Sequence, residues 1–308
     1  MTSSKLGLGE LLVSLTATGT PVHVVHESAC PELGPICEVR DEPAQLHDQR
    51  FYVGELRALL EVGFTETVSF VLQVPFRLSA TTIVYRRLDG ALFEPDYPNI
   101  HHRNQTLFGV GDPWFSARGG WSVGGLTIGA RAGLTVPFGK TETNPFKLGR
   151  EGKEHQHVQF GTGTVDPVLG VEVSYPIGRF AIGAYGLAQL SLYESGRGFQ
   201  AGSRLTAGVS GSGPIFQKLK GAVTVDVANE QPERWEGRVE QDGNLGRTDL
   251  LVGVSLSYPV ASFLLSLGVK LPVYQQVIQH DQQHPGQLSY PLILTLGVSS
   301  TVDVDAGR

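Results

Sequence analysis

Val123-Gly-Gly-Leu-Thr-Ile-Gly-Ala-Arg-Ala-Gly-Leu-Thr-Val-Pro-Phe-Gly-Lys140 is the stretch of sequence that decides the fold. Every second residue from Leu126 to Phe138 is apolar, whereas threonine, glycine or arginine occupies the positions between them as far as Thr135. Successive side chains of a β-strand point to opposite faces of a sheet. The stretch therefore predicts a strand with one apolar face and one polar face, and Arg131 lies on the polar face.

The same alternation recurs along the chain, and the charged residues of the alternating segments lie opposite the apolar face. An apolar face repeated on so many strands needs a large apolar partner, and a lipid bilayer is one. We therefore predict one all-β domain over residues 1–308, a transmembrane antiparallel up-and-down β-barrel of about 12 strands. The predicted strands are residues 9–18, 51–64, 67–79, 109–118, 123–140, 165–175, 179–193, 200–210, 217–228, 248–258, 263–274 and 289–302.

A soluble β-sandwich remains an alternative, because it would alternate in the same way with its apolar face turned inward. The composition does not decide between them. The mean hydropathy of −0.03 over 308 residues resembles that of a soluble protein, but lipid-facing and lumen-facing residues cancel in a barrel. No apolar run is long enough for a transmembrane helix. The net charge of −6 and the lack of a basic tract make nucleic acid an unsuitable partner.

The links between the predicted strands alternate in length. Bacterial outer-membrane barrels have short periplasmic turns, long extracellular loops and an even number of strands. We therefore expect the bacterial outer membrane as the location, the lipid bilayer as a partner and both termini in the periplasm. Short links are predicted at residues 65–66, 119–124, 176–178, 211–216 and 259–262, long links at 19–50, 80–108, 141–164, 229–247 and 275–288, and an intermediate link at 194–199.

Aromatic residues flank the short links on the apolar side. This position is typical of the aromatic girdle at a membrane interface. The sequence therefore predicts such a girdle at the periplasmic rim. Its members are Phe64, Tyr175, Phe180, Tyr258 and Phe263.

Cys30 and Cys37 lie close together in a polar predicted loop. In an oxidising compartment they are a candidate disulfide, and the alternative is two free thiols. Residues 1–5 do not begin a secretory signal, since no apolar core follows them. We expect a signal peptide to have been removed from this chain.

Charged residues on the polar face would point into the barrel, because arginine or lysine on the lipid side costs about 2–4 kcal/mol at the bilayer midplane. We expect cross-barrel ion pairs that line a narrow passage of mixed charge, and the alternative is a plugged interior through which nothing passes. The predicted pore-lining residues are Glu55, Arg57, Glu61, Arg77, Arg131, Asp166, Glu172, Arg204, Lys218, Lys220, Asp226 and Lys270.

Arg204, Lys218 and Lys220 lie on predicted neighbouring strands and could form a basic patch for carboxylates or phosphates. Ion pairing with Asp226 and Glu172 is the favoured alternative.

The histidines all fall in predicted long loops, where solvated side chains are the usual outcome. Two pairs have a spacing compatible with metal ligands: His155 with His157, and His23 with His26. We nevertheless expect no metal and no cofactor. The histidines are His23, His26, His47, His101, His102, His155, His157, His280 and His284.

Four stretches of the sequence resemble the MetA-like family of outer-membrane proteins, which is named for the meta pathway of phenol degradation. They are Gly109-Val-Gly-Asp112, Leu134-Thr-Val-Pro137-Phe-Gly139-Lys, Gly161-Thr-Gly163-Thr-Val-Asp166, and Leu271-Pro272-Val-Tyr274-Gln-Gln followed by Gly286-Gln287-Leu. The resemblance implies an outer-membrane barrel that transports small molecules, often hydrophobic or aromatic, without catalytic residues. One departure is the C-terminus, Val304-Asp-Ala-Gly-Arg308, where many such barrels end in an aromatic residue.

The function predicted from the sequence is an outer-membrane channel or transporter for small molecules. Two alternatives remain: a non-conducting structural or adhesive barrel with partner-binding loops, and an outer-membrane hydrolase. A hydrolase would need a nucleophile and base near the rim, and no spaced motif identifies them, so we expect no enzyme. The glycine- and proline-rich predicted strand 109–118 is a candidate lateral gap in the barrel wall for hydrophobic cargo.

Overall fold

Antiparallel strands close into a barrel in the computed structural model, which describes residues 6–28, 45–95, 103–240, 243–277 and 289–303. The strands are β1 (Glu10–Ser28), β2 (Gln45–Gly63), β3 (Val68–Arg87), β4 (Gln105–Val110), β5 (Trp114–Val123), β6 (Leu126–Thr135), β7 (Pro167–Ile177), β8 (Phe180–Gln189), β9 (Phe199–Gln200), β10 (Arg204–Phe216), β11 (Leu219–Glu230), β12 (Arg234–Trp235), β13 (Arg247–Val260), β14 (Phe263–Val277) and β15 (Ile293–Asp303). Cys30 and Cys37 lie outside the described residues, as do His101, His102, His280 and His284.

Each barrel strand pairs with its neighbours in sequence, and β1 pairs with β15 to close the barrel. The strands β4 and β5 both pair with β3 and together fill one position in the wall. The described residues therefore form a closed barrel of twelve antiparallel strand positions, as predicted. The short strands β9 and β12 pair only with each other, outside the barrel sheet.

Short turns occupy one end of the barrel and long connections the other, as predicted. The turn between β5 and β6 is Gly124–Gly125, and both glycines have positive φ, 57° and 84°. A two-residue hairpin turn of this kind suits glycine because it lacks a Cβ atom. Glu10 and Asp303 are paired at this same end, which is the periplasmic end by the general rule for outer-membrane barrels.

The outward face of the barrel is apolar. On β14, for example, Leu265, Leu267 and Leu271 are each about half exposed, whereas Ser266 and Gly268 point inward. The aromatic residues Phe64, Tyr175, Phe180, Tyr258 and Phe263 are all exposed around the short turns, as predicted for an interfacial girdle.

The first strands are much longer than predicted at the long-loop end. Within the predicted loop 19–50, the described residues are all strand, because β1 continues to Ser28 and β2 begins at Gln45. The histidines His23, His26 and His47 therefore lie in strands, and their assignment to loops is wrong.

The alternation fails there for a physical reason. Beyond the apolar belt the outer face meets water, so His23 points outward and is exposed, whereas Val22 points inward and is buried. The polarity of the two faces has reversed.

The predicted fourth strand is broken. β4 ends at Val110 and β5 begins at Trp114, and the interruption is Gly111-Asp112-Pro113. Proline cannot donate a ladder hydrogen bond, and glycine weakens a strand. β6 also stops at Thr135, short of the predicted Lys140, so β4 has a strand partner only on its β3 side among the described residues.

Two further boundaries differ from prediction. The connection from β8 to β10 runs over residues 190–203 and is long, not intermediate. β10 continues to Phe216, so Lys218 lies in the turn before β11. A pattern of alternating polarity cannot place these ends, because a regular strand and its flanking residues differ little in composition.

One helix, α1 (Pro145–Arg150), lies in the connection between β6 and β7. The side chain of Asn144 caps it by accepting hydrogen bonds from the amides of Phe146 and Lys147 at 3.1 and 3.2 Å. Among the described residues, no helix is long and apolar enough to cross a membrane.

Candidate functional site

The lumen has two unlike walls. The first, which we call the arginine wall, belongs to β2, β3, β5, β6 and β7. It consists of Glu55, Arg57, Glu61, Arg77, Arg118, Arg131 and Glu172. The second, the small-residue wall, belongs to β13, β14, β15 and β1 and consists of Ser255, Ser257, Ser266, Gly268, Thr295, Gly297, Thr16 and Thr18.

Strand register assembles the small-residue wall. Ser257 pairs with Ser266, and Gly297 pairs with both Ser266 and Thr16. A parallel row joins Ser255, Gly268, Thr295 and Thr18. Each of these residues has a short hydroxyl side chain or none. The charged residues alone do not indicate this surface, although the run of serine, threonine and glycine at inward positions is visible in the sequence.

Arg118 is the centre of the arginine wall. Its Nε donates a hydrogen bond to Glu172 at 3.0 Å, and its Nη1 lies 3.4 Å from a carboxylate oxygen of Glu61. Glu61 and Glu172 lie on β2 and β7, each separated from the Arg118 strand by one strand. The predicted cross-barrel ion pairs are thus pairs along one wall, because side chains that skip a single strand already meet on the concave face.

A second group of ion pairs lies above Arg118, towards the long-loop end. Glu55 accepts hydrogen bonds from Arg57 and, at 3.2 Å, from Nε of Arg77. Arg77 also donates to the carbonyl oxygen of Phe160 at 2.9 Å. Arg77 therefore ties the arginine wall to the connection between β6 and β7.

Asp226 is the centre of a separate cluster on the opposite side of the lumen. It is nearly fully buried and accepts hydrogen bonds from Tyr185 and Thr224 at 2.7 and 3.1 Å, and Nζ of Lys270 lies 2.7 Å away. Its charge is therefore matched by Lys270, on β14.

The predicted basic patch of Arg204, Lys218 and Lys220 does not form. Arg204 lies at the long-loop end of β10 and pairs with Glu230 at 2.9 Å, whereas Lys220 is next to the short turn that contains Lys218. The favoured pairing with Asp226 and Glu172 is also wrong, because these carboxylates pair with Lys270 and Arg118. Sequence proximity misled the prediction. In two consecutive antiparallel strands, the start of the first lies beside the end of the second. Arg204 at the start of β10 is therefore far from Lys220 at the start of β11.

The break between β4 and β5 is covered by the segment 136–166. Asp112, which is buried, accepts hydrogen bonds from the amides of Gly139 and Thr162 at 2.8 and 2.7 Å and from the Thr162 hydroxyl at 3.0 Å. The ring of Phe160 packs against Gly109, where a Cβ atom would come within 2.7 Å of it. A larger residue than glycine at either Gly109 or Gly161 would push this segment away.

Asp166 is completely buried at the start of β7. It accepts hydrogen bonds from the hydroxyl of Thr164 at 2.7 Å and from the side-chain amide of Gln189 at 3.2 Å. The carboxylate of Asp166 is therefore engaged by Thr164 and Gln189. Because Asp166 is buried, it does not line an open passage.

The long connections of β6, β8 and β11 pack together through aromatic rings. We call Phe146, Phe199 and Trp235 the loop core. Phe199 lies 4.8 Å from Trp235 between ring centroids, and His157 lies 4.9 Å from Phe146. Burial, with a smaller contribution from the nearby His155, lowers the pKa of His157 to about 4. Among the described residues no group of three potential metal ligands occurs.

The fold is that of a bacterial outer-membrane β-barrel. A similar solved structure is the COG4313 outer membrane channel from Pseudomonas putida F1, with a TM-score of 0.62 and 13% identity over 96% of this chain and 97% of that one. The apolar outer face of the barrel fits a location in the bacterial outer membrane, where the lipid bilayer surrounds it.

Two other solved structures are less similar. A Pseudomonas aeruginosa FadL homologue has a TM-score of 0.40 and 10% identity over 96% of this chain and 90% of that one. The TodX monoaromatic hydrocarbon channel, a deletion mutant, has a TM-score of 0.46 and 9% identity over 97% of this chain and 91% of that one. TM-scores this low carry no inference about this chain.

No protein-family model matches the sequence, and no curated protein matches it either. The resemblance to the MetA-like family therefore stays a prediction, as does the expectation that the barrel is not an enzyme.

Proposed function

We propose that the barrel is an outer-membrane channel for small molecules, with hydrophobic or aromatic molecules among its solutes. The small-residue wall is the observation that carries this proposal. Serine, threonine and glycine side chains are too short to fill a barrel of this many strands, so the wall supports a passage beside the arginine wall. The Pseudomonas putida protein of similar fold, which is described as an outer membrane channel, agrees with the proposal.

Ionic current across planar bilayers tests the passage. In Gly268→Gln the new side chain would extend from the small-residue wall into the lumen, and an added Cβ meets only ordinary contacts there, 3.5 Å or more away. We expect the wild-type barrel to conduct and Gly268→Gln to conduct less. Ser122→Gln, an inward position near a short turn on the other side of the lumen, is the control.

A refolded wild-type barrel that carries no current would reject the channel and leave the structural or adhesive alternative. Equal currents in wild type and Gly268→Gln would show that the path does not follow the small-residue wall.

We further propose the break between β4 and β5 as the lateral gap for hydrophobic solutes. Three features support this: the second edge of β4 has no strand partner among the described residues, Phe160 lies behind it, and hydrogen bonds to Asp112 hold the covering segment. Release of these hydrogen bonds would connect the bilayer with the lumen. The expected cargo is apolar, because it would arrive from hydrocarbon.

An apolar photoreactive diazirine dissolved in the bilayer tests the gap. We expect adducts on Phe160, and more of them in Asp112→Ala than in wild type. Asp89→Ala, an exposed aspartate in the turn after β3, is the control. Adducts confined to outward residues such as Val225 in all three proteins would contradict a lateral route.

A further inference from the structure

Two arginines stand directly opposite each other on the lumen face. Arg118 on β5 and Arg131 on β6 are register partners. Like charges directly opposite across an antiparallel pair are destabilising. An arrangement of this kind needs nearby anions to neutralise both guanidinium groups.

The two arginines are neutralised unequally. Hydrogen bonds from Arg118 engage both Glu61 and Glu172. Arg131 makes no side-chain hydrogen bond or ion pair with any described residue, although it lies in electrostatic range of both carboxylates. Arg131 as a residue is only partly buried, and it lies on the lumen face.

The carboxylates of the arginine wall are already shared among its other arginines. Arg57 and Arg77 share the single carboxylate of Glu55. The carboxylate of Asp112 acts electrostatically on Arg77, and it accepts hydrogen bonds from the amides of Gly139 and Thr162. No free carboxylate is left for Arg131 among the described residues of this wall.

Arg57 provides a second guanidinium group on the same wall as Arg131. The two side chains interact electrostatically, and the Arg57 side chain is 44% exposed. Its guanidinium carbon also lies 6.0 Å from the centre of the Trp114 ring, which offers an aromatic surface beside the cations. A guanidinium fork matches a carboxylate group better than it matches a spherical ion.

We infer that Arg131 and Arg57 form a binding site in the lumen for the carboxylate of a small organic acid, with Trp114 beside its apolar body. This inference rests on the proposed channel function and names one class of its solutes.

Calorimetric titration of the detergent-solubilised barrel with benzoate tests this site, and benzyl alcohol supplies the same ring without the charge. We expect benzoate to bind more tightly than benzyl alcohol, and Arg131→Gln to weaken benzoate binding about tenfold, as the loss of one charge-assisted hydrogen bond implies. Arg131→Lys should keep part of the affinity. Arg179→Gln removes the same charge from a short turn and should leave binding unchanged.

Equal binding of the two probes, or unchanged benzoate binding in Arg131→Gln, would overturn the site. Full displacement of benzoate by an equal concentration of chloride would also overturn it, because a general positive potential would then suffice. Electrophoretic mobility and β-sheet circular dichroism establish that each variant is folded. A barrel that conducts but binds no benzoate rejects this site alone, whereas benzoate binding without any current rejects the channel alone.

Discussion

Two residues of the same type on one face of the sheet can have different roles. Arg118 and Arg131 are both inward, adjacent in register and chemically identical, yet only Arg118 touches carboxylates directly. The difference arises from Glu61 and Glu172, which approach from strands on either side. Arg118 therefore contributes to stability, whereas Arg131 is available to a ligand.

Arg118→Gln should destabilise the folded barrel by about 3 kcal/mol, because it leaves Glu61 and Glu172 without their cation in a nearly buried site. Arg131→Gln is the matched control and should have little effect, or a small stabilising one, since it removes a like-charged pair. Urea unfolding in phospholipid vesicles measures both. Equal destabilisation by the two changes would contradict the assignment of roles.

The elements at the long-loop end depend on contacts that no single strand provides. Segment 136–166 closes the break between β4 and β5, and its helix α1 contributes Phe146 to the loop core. Trp235 and Phe199 arrive from two other connections. The loop core thus packs three connections together at the long-loop end.

The loop core should loosen in acid. His157 has an ordinary pKa near 6.5 when its segment is unfolded and about 4 when folded, so protonation favours the unfolded segment. The contribution of neutral His157 to the stability of the loop core is complete above pH 6.5. This contribution, about 3 kcal/mol in all, is lost as the pH falls towards 4. Trp235 fluorescence, with Trp114 and Trp121 replaced by phenylalanine, measures this change.

His157→Phe is the control for the acid effect. It should leave Trp235 fluorescence much less dependent on pH between 6.5 and 4, because no proton can bind at that position. An unchanged pH profile in this variant would assign the transition to another group.

At the scale of the whole molecule, one surface faces hydrocarbon and the other faces the lumen. Neighbouring residues on a strand therefore experience different surroundings: Leu267 is about half exposed on the outer face, and Ser266 lies in the small-residue wall. The same substitution at these two positions separates insertion into the membrane from passage through it.

Leu267→Arg should destabilise the barrel in a bilayer by about 2–4 kcal/mol, because the charge enters hydrocarbon. Ser266→Arg should fold normally and reduce the ionic current, since its side chain enters the lumen. Urea unfolding in vesicles and planar-bilayer recordings measure the two effects. Normal folding of Leu267→Arg would contradict the orientation of the outer face.

Alternation of polarity determined the closed barrel, its strand count, the short-turn end and the inward placement of Glu55, Arg57, Glu61 and Arg131. These properties follow from the two-residue period of a strand, which is local and therefore visible in the sequence. The alternation also located the weak fourth strand through Gly111 and Pro113. It failed above the apolar belt, where water replaces lipid and the two faces exchange polarity.

Only the tertiary structure decided which carboxylate meets which cation. Arg118 reaches Glu61 and Glu172 across intervening strands, and Lys270 reaches Asp226 in the same way. Such pairs depend on register, barrel curvature and side-chain reach, which involve residues far apart in the chain. The folding of segment 136–166 onto Asp112 likewise depends on contacts between distant residues. Local sequence therefore specified the wall of the barrel, and long-range packing specified what the wall can bind.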